Sequence, residues 1–236
     1  MGNLYLLVFF TFGPCVVLTE TVDTIFYSKL DNVVYNYLND IKNEKELEVC
    51  RPDSVCNVVN QRYWLPSKVY RVCRCAKGQC PFEWKNDDQS VPLDNQSQLK
   101  TCERTNNMEI CSREDVGLTV KETKDKKAGI WKKDISLKCR CDWPLYWRLS
   151  GTTMNMTHNF KEYTCSKLYK CQSGEFCAHI RADTYSAYYQ CSCPKGHICI
   201  TKDKTVRNVT ELLYHGPSLR AYCVRYVRME NTTKPV

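Results

Sequence analysis

Cys73-Arg74-Cys75-Ala76-Lys77-Gly78-Gln79-Cys80 and Cys191-Ser192-Cys193-Pro194-Lys195-Gly196-His197-Ile198-Cys199 are near copies of each other, and Cys139-Arg140-Cys141 places a third Cys-X-Cys pair between them. Read outward, the first unit runs Cys50-x5-Cys56-x16-Cys73-x-Cys75-x4-Cys80-x21-Cys102. The last runs Cys171-x5-Cys177-x13-Cys191-x-Cys193-x5-Cys199-x23-Cys223. Six cysteines in one order, with every gap matched to within three residues, make a tandem repeat of small disulfide modules.

The middle unit, Cys111-x27-Cys139-x-Cys141-x23-Cys165, is two cysteines short. It reads as lacking the first cysteine and the one after Cys-X-Cys, where Trp143-Pro144-Leu145-Tyr146-Trp147 stands instead. A lost bridge takes both its ends, because an orphan thiol is a liability outside the cell. On that reading the first and fifth cysteines pair, as Cys50–Cys80 and Cys171–Cys199. The rest are expected as second to third and fourth to sixth: Cys56–Cys73, Cys75–Cys102, Cys111–Cys139, Cys141–Cys165, Cys177–Cys191 and Cys193–Cys223. All sixteen cysteines after the leader are then bridged. Zinc held by Cys-X-Cys pairs is the rival use, and the even count in an oxidising compartment favours disulfides.

The leader explains the compartment. Leu4 to Leu18 is almost wholly apolar, carries no charged side chain and includes the seventeenth cysteine, Cys15. Its length suits a secretory h-region and is too short to span a bilayer of roughly 30 Å. Residues 1–19 are therefore read as a signal peptide cut near Val17-Leu18-Thr19, and the product as secreted, soluble and without a transmembrane segment. The sequons at Asn95, Asn155, Asn208 and Asn231 agree with glycosylation on that route.

Between leader and modules, Ile25, Phe26, Leu30, Val33, Val34, Tyr37, Leu38 and Ile41 recur at three- and four-residue steps, which predicts an amphipathic helix within 20–48. Modules follow at 49–105, 106–169 and 170–236, each expected as a hairpin ending in Cys-X-Cys with loops pinned to it. The predicted fold is thus small, disulfide-rich and mainly β, three hairpin modules behind one helix. Modules of this size bury little core, so bridges of about 2–4 kcal/mol each are expected to carry their stability. Lysine-rich 114–133 reads as a long solvated loop.

No chemistry of catalysis stands out. The histidines His158, His179, His197 and His215 form no metal-binding spacing, and His197 falls where module one has Gln79. There is no Gly-X-Ser-X-Gly and no phosphate-cradling glycine loop. Carboxylate pairs such as Glu44/Glu46 sit among charges that would not split their pKa values. The chain is read as a non-enzyme without cofactor or metal, and as a monomer. Its net charge of +8 suits an acidic partner or a solubility role, and nucleic acid is excluded by compartment.

Two segments fit a binding surface: Lys121, Lys124, Lys126, Lys127, Lys132 and Lys133 around Trp131, and Arg220, Tyr222, Arg225, Tyr226 and Arg228 near the end. On a strand Arg220, Tyr222, Val224, Tyr226 and Arg228 share a face. Trp, Tyr and Arg are favoured anchors of interfaces. The plainer alternative is that the tyrosines pack on their own module and the lysines are only solvated.

The Cys-X5-Cys starts and the two Cys-X-Cys–Lys-Gly segments quoted above resemble the centipede venom scoloptoxins of the eleventh family and their arthropod relatives, over roughly Cys50 to Cys223. That resemblance implies a secreted venom toxin acting on a cell-surface protein of prey such as an ion channel, some members being regarded as potassium-channel modulators. The rival is a non-toxic secreted factor, a receptor ligand or innate-defence binder, with a protease inhibitor behind it. The Cys-X-Cys-x5-Cys segment is also similar to part of the colipase and prokineticin fold.

Overall fold

The computed structural model describes residues 24–28, 32–38, 41–112, 115–124 and 131–226. The leader at 1–19 lies outside them. Three four-stranded antiparallel units repeat one topology. Module one contributes β3 (Val55–Asn60), β4 (Ser67–Arg71), β5 (Ser90–Pro92) and β6 (Ser97–Thr101) in the order β4-β3-β6-β5. Module two does the same with β7 (Val116–Lys124), β8 (Trp131–Leu137), β9 (Tyr146–Met154) and β10 (His158–Ser166), ordered β8-β7-β10-β9. In module three β11 (Tyr169–Lys170) and β14 (Cys191–Ser192) pair apart from a third sheet. That sheet joins β12 (Phe176–Arg181), β13 (Ala187–Tyr189), β15 (His197–Glu211) and β16 (Tyr214–Arg225) in the order β13-β12-β16-β15. The repeat read in cysteine spacing is thus a repeat of strand order.

The helix expected at 20–48 is a correction. Thr24–Ser28 (β1) and Val33–Tyr37 (β2) form an antiparallel hairpin, turning at Asn32 with φ 50°, and only a 3-10 turn at Glu44–Glu46 follows. Strand β2 pairs in parallel with β4, extending module one to six strands. Apolar residues are so dense here that both helical and alternating periods fit. Val33, Val34, Tyr35 and Tyr37 favour the pleat, and a long-range partner decides it: Val33 packs on Val59 and Val69, with Phe82 and Trp84 against them. The loop expected at 114–133 is corrected too. Leu118 and Val120 are buried on β7, Ile135 and Leu137 on β8, and residues 114 and 125–130 lie outside the described residues.

The bridges are Cys50–Cys73, Cys56–Cys80, Cys75–Cys102, Cys111–Cys139, Cys141–Cys165, Cys171–Cys191, Cys177–Cys199 and Cys193–Cys223. The pattern is first to third, second to fifth and fourth to sixth. Four expected pairs, Cys50–Cys80, Cys56–Cys73, Cys171–Cys199 and Cys177–Cys191, are therefore corrected. Cys111 is a first cysteine, not a second. The residues preceding Cys50, Cys111 and Cys171 all make a parallel pairing with the middle residue of Cys-X-Cys: Val49 with Arg74, Ile110 with Arg140, Lys170 with Ser192.

Module two consequently lacks the second-to-fifth bridge, and Gly117 and Trp147 occupy its ends. Cys111-x5-Gly117 keeps the spacing of Cys50-x5-Cys56, and Cys141-x5-Trp147 that of Cys193-x5-Cys199. A Cβ on Gly117 would lie 2.5 Å from Cys111 Sγ, 2.6 Å from Cys139 Sγ and 3.0 Å from Trp147 Cζ3, so the glycine makes room for the indole beside the remaining bridge. Trp147 is 3% exposed and donates Nε1–H to the Pro92 carbonyl at 3.1 Å. Packing replaces a disulfide here through Trp147, with Leu145 half-buried against the same core, whereas Trp143 is 83% exposed.

The modules pool their cores. Val55, Val58, Val91 and Leu99 of module one, Leu118, Ile135, Trp147 and Tyr163 of module two, and Leu212 of module three form one buried cluster. Leu212 sits at the tip of the β15–β16 hairpin, and its carbonyl accepts from the Tyr163 hydroxyl at 2.9 Å.

Candidate interaction surface

Module three's sheet turns its bridges inward and an uncovered face outward. On β16 Ala221 and Cys223 are buried, whereas Arg220 and Tyr226 are exposed and Tyr222 and Val224 half-buried, as period-two alternation requires. Across the ladder Tyr222 stands opposite Phe176 and Ile200, and Val224 opposite Ile198. Phe176 and Tyr222 meet edge to face at 6.1 Å. The Arg220 guanidinium lies 5.6 Å from the Phe176 centroid and Lys202 Nζ 5.3 Å from that of Tyr222. Ile198, Ile200 and Tyr226 are exposed. The result is an apolar centre with two cations over its rings, geometry suited to an acidic, partly apolar counterpart.

Of the residues singled out in sequence, Arg220, Tyr222 and Tyr226 come together on this face. Arg225 alternates to the other side, opposite His197. Trp131 opens β8 on a different sheet, opposite Lys124. Lys132 is paired with Glu48, and Lys133 Nζ lies 3.0 Å from Glu122. Lys126, Lys127, Arg228 and the sequon at Asn231 lie outside the described residues. Phe176, Ile198, Ile200 and Lys202 complete the face and were missed in sequence. The signal for the isoleucines was their alternation with Cys199.

Two tips add exposed apolar groups. The β3–β4 turn carries Tyr63-Trp64-Leu65, with Trp64 96% exposed at φ 57°. Gln96 Nε2 donates to the Tyr63 hydroxyl at 2.8 Å and Arg62 Nε to the Pro66 carbonyl at 2.8 Å, so the turn is held in shape. At the β9–β10 turn Met154 and Met156 are exposed on either side of Asn155.

Where the modules meet, a cavity of about 350 Å³ is lined by Tyr70, Leu93, Ile135, Arg181, Tyr188 and Tyr214 among others. Buried Arg181 ties modules three and one. It donates to Asn60 Oδ1 at 3.1 Å and to both Asp183 oxygens at 3.0 and 2.9 Å, and it lies 4.1 Å from the Tyr214 centroid. Burial pushes the Tyr214 phenol up to about 12, with the Asp183 charge adding to it. For Asp183 burial pulls upward, but the Arg181 hydrogen bonds and charge outweigh it and hold the carboxyl below its usual range. His179 Nδ1 and Gln190 Nε2 both reach Glu211 Oε1, at 2.6 and 3.2 Å, fastening β12 to the hairpin tip. The cysteine triplets that converge, such as Cys56, Cys75 and Cys80, consist of bridged sulfurs and offer no thiolate to a cation. Among the described residues no helix is long and apolar enough to cross a membrane.

No family model matches the chain. A curated relative, U-scoloptoxin(11)-Sm7a of Scolopendra morsitans, is 25% identical over 159 residues, 64% of this chain and 70% of the toxin. Among solved structures, unliganded Argos is similar with a TM-score of 0.51 and 22% identity, covering 81% of this chain and 98% of that one, a likeness of fold. The chain, itself disulfide-rich and mainly β, is thus distantly similar in sequence to a centipede scoloptoxin and similar in fold to Argos.

Proposed function

We propose that the chain is a secreted, non-enzymatic binding protein of venom-toxin type that seats its module-three face on a cell-surface protein of prey, with an ion channel as the target class. The carrying observation is that face: Ile198, Ile200, Tyr222, Val224 and Phe176 gathered on one uncovered sheet with Arg220 and Lys202 over the rings. A contiguous apolar patch on a small protein marks an interaction site. The net charge of +8 adds attraction toward an acidic vestibule. Eight bridges hold the strands rigid, so little ordering is lost on binding.

Whole-cell recording of neuronal potassium, sodium and calcium currents tests this. At micromolar protein one current should shift, and Ile200→Glu, which places a charge in the middle of the face, should weaken the effect tenfold or more. No change in any current sinks the channel target. A second reading, a non-toxic secreted factor that binds a soluble or receptor protein, is favoured by the likeness to Argos over 98% of that chain, a protein for which an unliganded state is distinguished. Transcripts outside a venom gland would favour it.

A further inference from the structure

The described sequons share a place in their modules, on the hairpin between Cys-X-Cys and the last cysteine. Asn95 lies between β5 and β6, Asn155 between β9 and β10, and Asn208 near the end of β15. Asn95 alone stands at a seam. Its Oδ1 accepts from the Ala187 backbone N–H of module three at 2.9 Å, which fixes the carboxamide and leaves that bond intact if Nδ2 is substituted. The exposed Asn95 also lines a mostly apolar hollow of about 230 Å³ with Pro92, Leu145, Tyr146, Tyr189 and Trp143. The hollow has room for a sugar ring but not for a folded segment. Trp143 stands 83% exposed at its wall, although Trp147 of the same stretch is buried.

We propose that Asn95 carries an N-linked glycan whose first N-acetylglucosamine occupies this hollow against the Trp143 indole, sealing the junction of the three modules. In forming it, Nδ2 bonds to C1 of a lipid-pyrophosphate-linked oligosaccharide, the C1–O bond breaks, Nδ2 loses a proton and the lipid pyrophosphate departs. The transfer precedes folding, so the burial of Ser97 in the finished structure is no obstacle. A pyranose presents a C–H face of slight positive charge to the negative face of an indole, and its amide and hydroxyls stay toward water. The proposal rests on passage through the secretory pathway and not on any target.

The full chain secreted from human cells provides the test, with glycopeptide mapping and hydroxyl-radical footprinting read by mass spectrometry. Asn95 should be occupied, and Trp143 should oxidise severalfold more slowly in wild type than in Asn95→Gln, with Trp64 unchanged. An unoccupied Asn95, or equal Trp143 oxidation in both proteins, overturns the proposal. If Asn95→Gln is not secreted, Trp143→Ala alters only an exposed side chain. Release of the Asn95 glycan from the folded variant by peptide-N-glycosidase should then be severalfold faster than from wild type, with release from Asn155 unchanged. Equal release at Asn95 overturns it.

Discussion

At Asp94 two demands compete. Its Oδ1 accepts the Gln96 backbone N–H at 2.7 Å and so closes the turn that presents Asn95, but the site lies where modules one and three meet. Burial raises the carboxyl pKa above its ordinary value, and the hydrogen bonds from Gln96 and Ser97 and the Arg181 charge offset only part of this. A carboxyl with a raised folded pKa binds more protons folded than unfolded between its unfolded value and the raised one. Stability is then largest at low pH and falls as pH rises across that window. Asp94→Asn keeps an acceptor for Gln96 without the charge, so it should melt at a higher temperature than wild type at pH 7, with the gap closing toward pH 3. A gap independent of pH would show that the carboxylate is not penalised. None of this is legible in sequence, because Arg181 and Asn60, 121 residues apart, become neighbours only in the fold.

For the elements, β4, β8 and β13 stop two residues before the Cys-X-Cys pairs expected to end each module's hairpin, and density of apolar residues hid β1 and β2, whose choice depends on the distant strand β4. The same local reading misplaced Cys111. Its x5 spacing to Gly117 was available, but a glycine at a cysteine position carries meaning only once Trp147 is seen to fill the space. Trp147→Ala should cost about 3–5 kcal/mol for a buried aromatic, while Trp143→Ala, in protein without the Asn95 glycan, should stay within about 0.5 kcal/mol. Gly117→Ala forces a methyl onto two bridged sulfurs and should cost about 1–3 kcal/mol. Guanidinium unfolding without reductant measures all three. A wild-type midpoint for Trp147→Ala would mean that the indole does not stand in for the bridge.

Across the whole molecule, the sequence showed three modules but not that modules one and two would share a core, nor that the β15–β16 tip would be buried between them through Leu212. Such contacts join units that each look too small to pack alone. Within each module the frame is one bridge pattern used three times, with Gly117 and Trp147 replacing one bridge, and the shared core holds the modules to one another. Partial reduction, alkylation and mass mapping of the secreted protein tests that pattern most directly. The account predicts Cys50–Cys73, Cys56–Cys80, Cys171–Cys191 and Cys177–Cys199. Cys50–Cys80, Cys171–Cys199 or any bridge between modules would contradict it.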